Sequence, residues 1–307
     1  MGEDRIFDIA SIGECMVEFR ETEPGIYSQT IGGDSFNQVA AASLLGAKCT
    51  YLTQFGDDIF LDTLRSTMQN HSVQIEAKVL QSKKNAIYFV KNDVKTGERT
   101  FHYFRSGSAA SCLTKSDAPI SWIKSARVLS LSGITQALST TTDELVGQAM
   151  ESAASLGVKV AYDINFRKKL WNADDASQAL AKILPFISIL FLSEEDLPIL
   201  QNAKGFLGLK SNQWHDSLST LNLECTVFRR GSEGCQWFVR NLDKPREISA
   251  PRVIAKDTSG AGDVFAGVFL ASYVNESPFE KCAELATKVA AKHVQHIGAM
   301  PKKDLLL

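Results

Sequence analysis

The feature that most constrains the fold of this 307-residue chain is an alternation of short apolar runs with longer amphipathic stretches. The apolar runs at residues 6–13, 48–55 and 128–133 end at or beside a glycine, which is typical of buried parallel strands. Helical spacing of apolar residues follows at 38–45 and 142–156. Because parallel strands need crossover connections, the alternation predicts an α/β fold with a mainly parallel, helix-covered sheet.

Two segments depart from this alternation. Residues 14–19 alternate polar and apolar side chains, which predicts a half-exposed strand that leaves the core sheet. Residues 85–105 contain two aromatic-rich runs around a polar loop, which predicts an antiparallel hairpin. Alternate residues of a strand share a face, so Tyr103 and Arg105 point the same way. The hairpin is either a lid over a polar ligand or an ordinary edge hairpin with a solvated arginine.

These departures suggest a division into two domains. We assign residues 14–33 and 85–107 to a small β lid. Residues 1–13, 34–84 and 108–307 then form the main α/β domain.

The composition excludes several classes of partner. The formal net charge is −2, which gives no basis for binding nucleic acid or an anionic membrane. No segment approaches the ~20 apolar residues of a membrane span, and residues 1–8 are too charged for a signal peptide. The six cysteines are scattered without a C-x-x-C pair, so we expect buried thiols, no structural zinc site and a cytoplasmic location.

A glycine-rich stretch at residues 256–267 is the strongest candidate for a reaction centre. Gly260 and Gly262 stand at the start of an apolar, small-residue run that predicts a buried helix. The first N–H groups of a helix lack intrahelical partners and attract anions. Asp263 at the same end could accept a proton while the amides hold a transferring phosphoryl group. Alternatively, Asp263 only caps the helix and the glycines only turn the chain.

Other polar residues follow predicted strands or open predicted helices. Residues 32–37 combine two glycines with Asn37 at a helix start. Asp163, Asn165 and Arg167 follow the strand at 158–162, and ligands of open α/β sheets bind outside such strand ends. The acidic cluster at 193–196 either holds Mg²⁺ or enriches a helix N-terminus in acids.

On these residues the chain resembles the ribokinase-like, PfkB-type carbohydrate kinases over essentially its full length. The N-terminal glycine signature of that family is matched by residues 32–37, and its C-terminal signature D-T-x-G-A-G-D by residues 257–263. Within the family, the resemblance is greatest to the kinases of 2-keto-3-deoxygluconate. The stretches that carry this closer resemblance are 12–16, 97–105, 129–134 and 163–171.

The resemblance implies a three-layer α/β/α sandwich with a mainly parallel central sheet and a small β-sheet lid. It implies that ATP with Mg²⁺ is the phosphoryl donor, that Asp263 is the catalytic base, and that Gly260, Ala261 and Gly262 form the anion hole. The implied sugar-site residues are Gly33, Asn37, Tyr88, Tyr103, Arg105, Ile134, Arg167 and Asp257. The implied nucleotide contacts are Ser193, Arg230, Gly231, Gly260, Gly262 and Ala291.

Two positions depart from the family pattern. The family's Asn-x-x-Glu near the metal is Ser-Glu-Glu-Asp here, at residues 193–196, which leaves Asp196 as the candidate metal contact. Ser259 stands where the family has a second threonine.

The two arginines indicate the substrate class. Arg105 on the predicted hairpin and Arg167 at a strand end would both suit a carboxylate, because the guanidinium fork matches its geometry. We therefore expect ATP-dependent phosphorylation of the terminal hydroxyl of an acidic keto sugar, namely 2-keto-3-deoxygluconate. The alternatives are a kinase of a neutral sugar such as fructose, and a sugar- and nucleotide-sensing protein without catalysis. No G-x-G-x-x-G follows the first strand, which argues against a dinucleotide-dependent oxidoreductase. The apolar outer face of the predicted lid suggests a homodimer.

Overall fold

The computed structural model describes residues 5–92, 99–203, 214, 215, 218 and 221–303. The strands in this part of the chain are β1 (Phe7–Ile12), β2 (Met16–Glu23), β3 (Ile26–Gly32), β4 (Cys49–Gly56), β5 (Gln74–Leu80), β6 (Ile87–Asn92), β7 (Arg99–Phe104), β8 (Ala126–Ser132), β9 (Lys159–Asp163), β10 (Ile189–Ser193), β11 (Cys225–Arg229), β12 (Gly234–Phe238) and β13 (Arg246–Ser249). The helices are α1 (Asp34–Leu44), α2 (Leu61–Gln69), α3 (Ile120–Lys124), α4 (Gly133–Gln136), α5 (Thr140–Ser155), α6 (Ala173–Ile183), α7 (Leu197–Ala203), α8 (Ala261–Val274) and α9 (Phe279–His293).

Nine of the described strands form one central sheet. Their order is β13-β12-β11-β10-β9-β8-β1-β4-β5. The strands from β11 to β5 are parallel, while β12 and β13 are antiparallel. Apolar side chains of one face cluster with those of α1, α8 and α9, and side chains of the other face cluster with α5 and α6. The predicted three-layer α/β/α sandwich is therefore confirmed.

Four further strands form a second, smaller sheet in the order β3-β2-β6-β7. The antiparallel pairing of β6 with β7 confirms the predicted hairpin, whose polar loop lies outside the described residues. β2 pairs with both β3 and β6, so the segments 14–33 and 85–107 contribute to one sheet. The division into two domains, and the movement of this sheet as a lid, remain predictions.

Strand β2 is more buried than the sequence predicts. The expectation of a half-exposed strand is wrong, because Glu18 and Arg20 are only 1% and 5% exposed. Their side chains pair with each other across 3.0 Å. Arg20 also reaches Asp257 beyond the small sheet, so these buried charges compensate one another.

The cysteines form no disulfide, and all six have free thiols. Five are buried as predicted, whereas Cys112 is half-buried. Across the described helices, none combines the length and the apolar character that crossing a membrane requires.

The two helices that follow the glycine signatures pack against each other at Gly267. A Cβ atom there would lie 2.1 Å from the carbonyl oxygen of Gln38 and 2.9 Å from the Cβ of Ala41. Only glycine permits this approach of α8 to α1. The contact brings the first turns of the two helices together, where the amide of Asn37 donates to the carboxylate of Asp263 across 2.8 Å.

We predict that Gly267→Ala destabilises the protein by about 1–3 kcal/mol, because a methyl group at this contact overpacks the interface. Gly147, inside α5, is the matched control, since nothing lies within 4 Å of its added Cβ. Gly147→Ala should instead stabilise by roughly 0.5–1 kcal/mol through helix propensity alone. Urea unfolding of both variants measures the difference. Equal effects of the two substitutions would show that the contact between α1 and α8 is not tight.

Candidate active site

Four neighbouring strands of the central sheet end in polar residues at one edge. β8 ends at Ser132, β9 at Asp163, β10 at Ser193 and β11 at Arg229. Because these strands are parallel, their carboxyl ends lie side by side, where ligands bind in open α/β sheets. The sequence points to Asp163 and Ser193. It gives no prediction for Arg229, whose only signal is a charged residue at the end of an apolar run.

Arg229 forms a two-point ion pair with Asp163. Its Nη1 and Nη2 donate to the two carboxylate oxygens across 2.7 and 2.6 Å. Nη1 also donates to the carbonyl oxygen of Gly262 across 3.1 Å. The guanidinium therefore fixes the glycine turn against the end of β9.

The turn before α8 has the backbone form that an anion cradle requires. Gly260 has φ = 72°, the left-handed region, and a Cβ there would lie 2.3 Å from the carbonyl oxygen of Ala299. A Cβ on Gly262 would lie 3.0 Å from Nη1 of Arg229. The amides of Ala261 and Gly262 stand in the first helical turn, where N–H groups lack intrahelical partners. The Ala261 amide contacts the carbonyl of Thr258 only across a long 3.3 Å.

Asp263 is a half-buried acid whose carboxylate accepts a hydrogen bond from the neutral amide of Asn37. Burial raises its pKa to about 7, and the carboxylates of Asp34 and Asp163 act in the same direction. The hydrogen bond from Asn37 and the positive charge of Arg167 act in the opposite direction. A carboxyl group with this pKa is poised to accept a proton near neutral pH.

Asp34, at the start of α1, belongs to the same cluster, although the sequence gives it no role. Its carboxylate accepts a hydrogen bond from Asn165 across 3.2 Å and another from the hydroxyl of Ser132. Asn165 has φ = 41°, an uncommon value for a residue with a side chain. The end of β9 therefore turns sharply to bring this amide to Asp34.

The predicted sugar-site residues lie on both sheets. Gly33 allows α1 to approach the β1–β2 connection, because a Cβ there would lie 2.2 Å from the carbonyl oxygen of Glu14. Tyr88 and Tyr103 stack with ring centroids 5.6 Å apart on the small sheet. Ile134 is half-buried in α4, after the end of β8.

The two predicted carboxylate-binding arginines differ in their surroundings. Arg105 forms an ion pair with buried Glu14, through Nε at 2.9 Å and Nη2 at 2.8 Å. Arg167 is exposed, and no carboxylate pairs with it among the residues that the structure describes. Its charge acts on Tyr103 and on Asp263, so it lies at the site. The sequence missed Glu14, whose signal is an acid directly after a buried strand.

Asp257 lies below the turn and is held by several donors. Its carboxylate accepts from the amides of Ser259 and Gly298, each across 2.9 Å, and pairs with Arg20. Burial acts to raise the pKa of Asp257, but these donors and the arginine hold it below its ordinary value.

The predicted nucleotide contacts follow the strands farther along the sheet. Gly231, with φ = 55°, turns the chain after β11, and Arg230 beside it pairs with Glu233 and Glu247. Ala291 is buried in α9. Ser193 ends β10 and donates to Asp196.

Asp196, the predicted metal contact, is hydrogen-bonded within its own loop. Its carboxylate accepts from the amide and hydroxyl of Ser193, both across 2.7 Å, and from the amide of Phe166 across 2.8 Å. Asp196 is buried, and three donors occupy most of the acceptor sites of its carboxylate. The cluster caps the helical turn that follows it, as the alternative interpretation of the sequence has it, and the metal contact at Asp196 stays a prediction. Within the described residues, no group of three or more His, Cys, Asp or Glu side chains is arranged to hold a metal.

The pfkB family carbohydrate kinase profile matches residues 7–304. The chain belongs to the pfkB family of carbohydrate kinases. The family's ribokinase-like fold accords with the structure of a putative ribokinase II from E. coli in complex with ATP and Mg²⁺. That structure has a TM-score of 0.86 and 20% identity, and the match covers 96% of this chain and 95% of that one.

Curated relatives in the pfkB family have different substrates. A 2-dehydro-3-deoxygluconokinase of Haemophilus influenzae is 27% identical, with 96% of each chain covered. A fructokinase-2 of Oryza sativa subsp. japonica is 26% identical, with 95% of this chain and 90% of the relative covered. The family membership therefore establishes a sugar kinase, while the relatives leave the choice of sugar open.

We predict that the acidic limb of the kcat/KM profile of this pfkB-family kinase has an apparent pKa of about 7, set by Asp263. Asp34→Asn removes a negative charge that favours the protonated acid, so the limb should move to lower pH. Arg167→Gln removes a positive charge that favours the carboxylate, so the limb should move to higher pH. Rate profiles from pH 5 to 9 measure both shifts. Shifts of the same sign, or none, would contradict the assignment of Asp263 to this limb.

Proposed function

We propose that this carbohydrate kinase transfers the γ-phosphoryl group of ATP to the terminal hydroxyl of an acidic keto sugar, 2-keto-3-deoxygluconate, and forms its 6-phosphate. The observation that carries the proposal is Arg167, an exposed guanidinium beside Asp263 and Tyr103 without a carboxylate partner in the described part of the chain. A fixed positive charge suits a sugar acid, whereas a neutral sugar needs shared hydroxyl hydrogen bonds. Similarity to a 2-dehydro-3-deoxygluconokinase, which is named for the same sugar acid, supports it.

In this mechanism Asp263 accepts the proton of the attacking hydroxyl. Asn37 binds its Oδ2, so Oδ1 is left to face the sugar. The amides of the Gly260–Gly262 turn receive the transferred phosphoryl group, whose charge they stabilise as it develops. Arg229 holds the turn in place through the carbonyl of Gly262. The small sheet closes over the reactants and excludes water as a competing acceptor.

The nucleotide lies against Ser193, Arg230, Gly231 and Ala291. Mg²⁺ neutralises phosphate charge in such reactions and keeps several water ligands. Asp196, whose carboxylate accepts three hydrogen bonds and supports the loop, would contact the ion directly or through water, and the ion would neutralise charge on the ATP phosphates.

On the sugar side, Gly33, Asn37 and Ile134 line the wall formed by the main sheet, and Asp257 lies beside it. Tyr88 and Tyr103 cover the sugar from the small sheet. Arg167 binds the carboxylate. Arg105, which is compensated by Glu14, contributes as a hydrogen-bond donor rather than as a free charge.

One observation favours a second candidate, a fructokinase. The ion pair between Arg105 and Glu14 removes one of the two positive charges expected for a sugar acid. The similarity to a fructokinase-2 points in the same direction. A sugar- and nucleotide-sensing protein is the weaker alternative, since a sensor has no need of a base with a pKa near 7.

The assembly and location are part of the same proposal. The outer face of the small sheet exposes Phe104 by 63% and Tyr27 by 39%, and exposed apolar sheet surface favours a partner. We assign this face to a homodimer contact. The reduced state of all six thiols supports a cytoplasmic location.

We predict that a panel of sugars with ATP, followed by coupled ADP detection, gives the highest kcat/KM with 2-keto-3-deoxygluconate. Its preference over fructose should be about 10- to 100-fold, the value of one charge-assisted hydrogen bond. Measured above the acidic limb, at about pH 9, where Asp263 is deprotonated in both proteins, Arg167→Gln should lower kcat/KM for the keto acid and leave that for fructose unchanged. A preference for fructose that Arg167→Gln leaves unchanged would favour the neutral-sugar alternative.

The control for this panel is Asp263→Asn. Loss of the general base should lower kcat by about 10²- to 10⁴-fold with either sugar, while sugar binding is retained. ADP formation that persists in this variant would arise from a contaminating activity or from another base.

A further inference from the structure

A buried arginine of the small sheet pairs with Asp257, which lies just before the glycine turn at the start of α8. Arg20 lies on β2 and is 5% exposed. Its Nε donates to Oε1 of Glu18 across 3.0 Å, and its Nη1 lies 2.9 Å from Oδ2 of Asp257. The second contact joins the small sheet directly to the segment that precedes α8.

The carboxylate of Asp257 also binds backbone amides of the two segments that meet at Gly260. Its Oδ1 accepts from the amide of Ser259, the residue before Gly260. Its Oδ2 accepts from the amide of Gly298. The next residue, Ala299, has its carbonyl oxygen against Gly260, 2.3 Å from where a Cβ would stand. The position of the Arg20 guanidinium therefore bears on the backbone that forms the anion cradle.

Arg20 is the arginine that pairs with two buried carboxylates, those of Glu18 and Asp257. Glu18 and Asp257 are each 1% exposed, and the single guanidinium lies between them. Glu18 also accepts hydrogen bonds from the hydroxyls of Tyr88 and Thr30. Removal of one partner from a buried ion pair leaves an uncompensated charge. Without Arg20, the negative charge of Asp257 would lack its arginine partner and would lie beside the turn that receives a phosphoryl group.

The side chain of Arg20 contacts Glu18 and Asp257. Its Nη2 is buried from solvent and has no hydrogen-bond partner among the residues described. Its remaining donors are occupied by the two carboxylates. Of these two carboxylates, that of Asp257 links Arg20 to the glycine turn.

We propose that Arg20 is a positioning residue that couples the small sheet to the phosphoryl-binding turn through Asp257. When the small sheet is seated, the guanidinium compensates Asp257 and fixes the Ser259 and Gly298 amides around Gly260. The seating of the small sheet thus bears on the geometry of the amides that receive the phosphoryl group. This inference rests on the proposed transfer at the Gly260–Gly262 turn.

The kinetic test is Arg20→Gln, measured with ATP and whichever sugar the panel identifies. We expect kcat to fall about 10- to 100-fold, the effect of losing a charge-assisted hydrogen bond. The KM for ATP should change by less than about 3-fold, because the cradle acts on the transition state rather than on ground-state binding. The matched control is Arg127→Gln, which breaks a half-exposed ion pair with Asp8 away from the turn and should leave kcat unchanged.

A double variant tests whether Arg20 acts through Asp257. If it does, Arg20→Gln/Asp257→Asn should be no slower than Asp257→Asn alone, because the pair is already broken. Losses that multiply would overturn the proposal, as would a kcat of Arg20→Gln within 2-fold of the wild-type value. A purely structural role would lower the unfolding midpoint and leave kcat per folded molecule unchanged, which also contradicts it.

Two further measurements keep the test decisive. If Arg20→Gln does not fold, Arg20→Lys retains the charge but cannot hold both carboxylates, and it should lose about 2- to 10-fold in kcat. A double-mutant cycle on urea unfolding measures the pairing of Arg20 with Asp257 without any substrate. The unfolding cycle needs no sugar, and the kinetic measurement uses whichever sugar the panel identifies. A failed keto-acid assignment would therefore be distinguished from a failed role for Arg20.

Discussion

The compensation of buried charge at one edge of the central sheet is the constraint on which the site depends. Several buried carboxylates there are paired with an arginine, namely Asp163 with Arg229, Asp257 with Arg20 and Glu14 with Arg105. Asp263 receives a neutral amide from Asn37 instead. Without a paired arginine its charged form is less stabilised, and burial raises its pKa to about 7. Burial raises the pKa of Asp163 as well, although Arg229 opposes that shift.

Close backbone approach makes this arrangement of charges possible. Gly267 lets α8 touch α1, Gly33 lets α1 approach the β1–β2 connection, and Gly260 lets the turn lie on Ala299. Each contact brings a functional group of one element within hydrogen-bond distance of another. The glycines of the two signatures thus act at two levels, since they pack the helices and leave amides open for an anion.

The sequence predicts the alternating fold, the hairpin and the glycine turn because periodicity and glycine placement are local signals. It also predicts that Asp263 and Asn37 belong to the site, through a resemblance that covers nearly the whole chain. It fails at Arg229, Glu14 and Arg20, because charged residues on strands suggest exposure until their partners are known. Arg229 pairs with Asp163, which is 66 positions away in the sequence, and Arg20 pairs with Asp257, which is 237 positions away. Such pairing is a property of the tertiary structure, which strand patterning does not reveal.

The proposed catalysis depends on a half-buried Asp263 that titrates near neutral pH, and its carboxyl group can be observed directly. Carbon-13 NMR of protein labelled at the aspartate carboxyl groups, compared with Asp263→Asn to assign the signal, follows its protonation from pH 3 to 9. We expect the signal that disappears in the variant to titrate with a midpoint of about 7. A midpoint near the ordinary aspartate value of about 3.9 would contradict the account, because such an acid would be a poor base at the site.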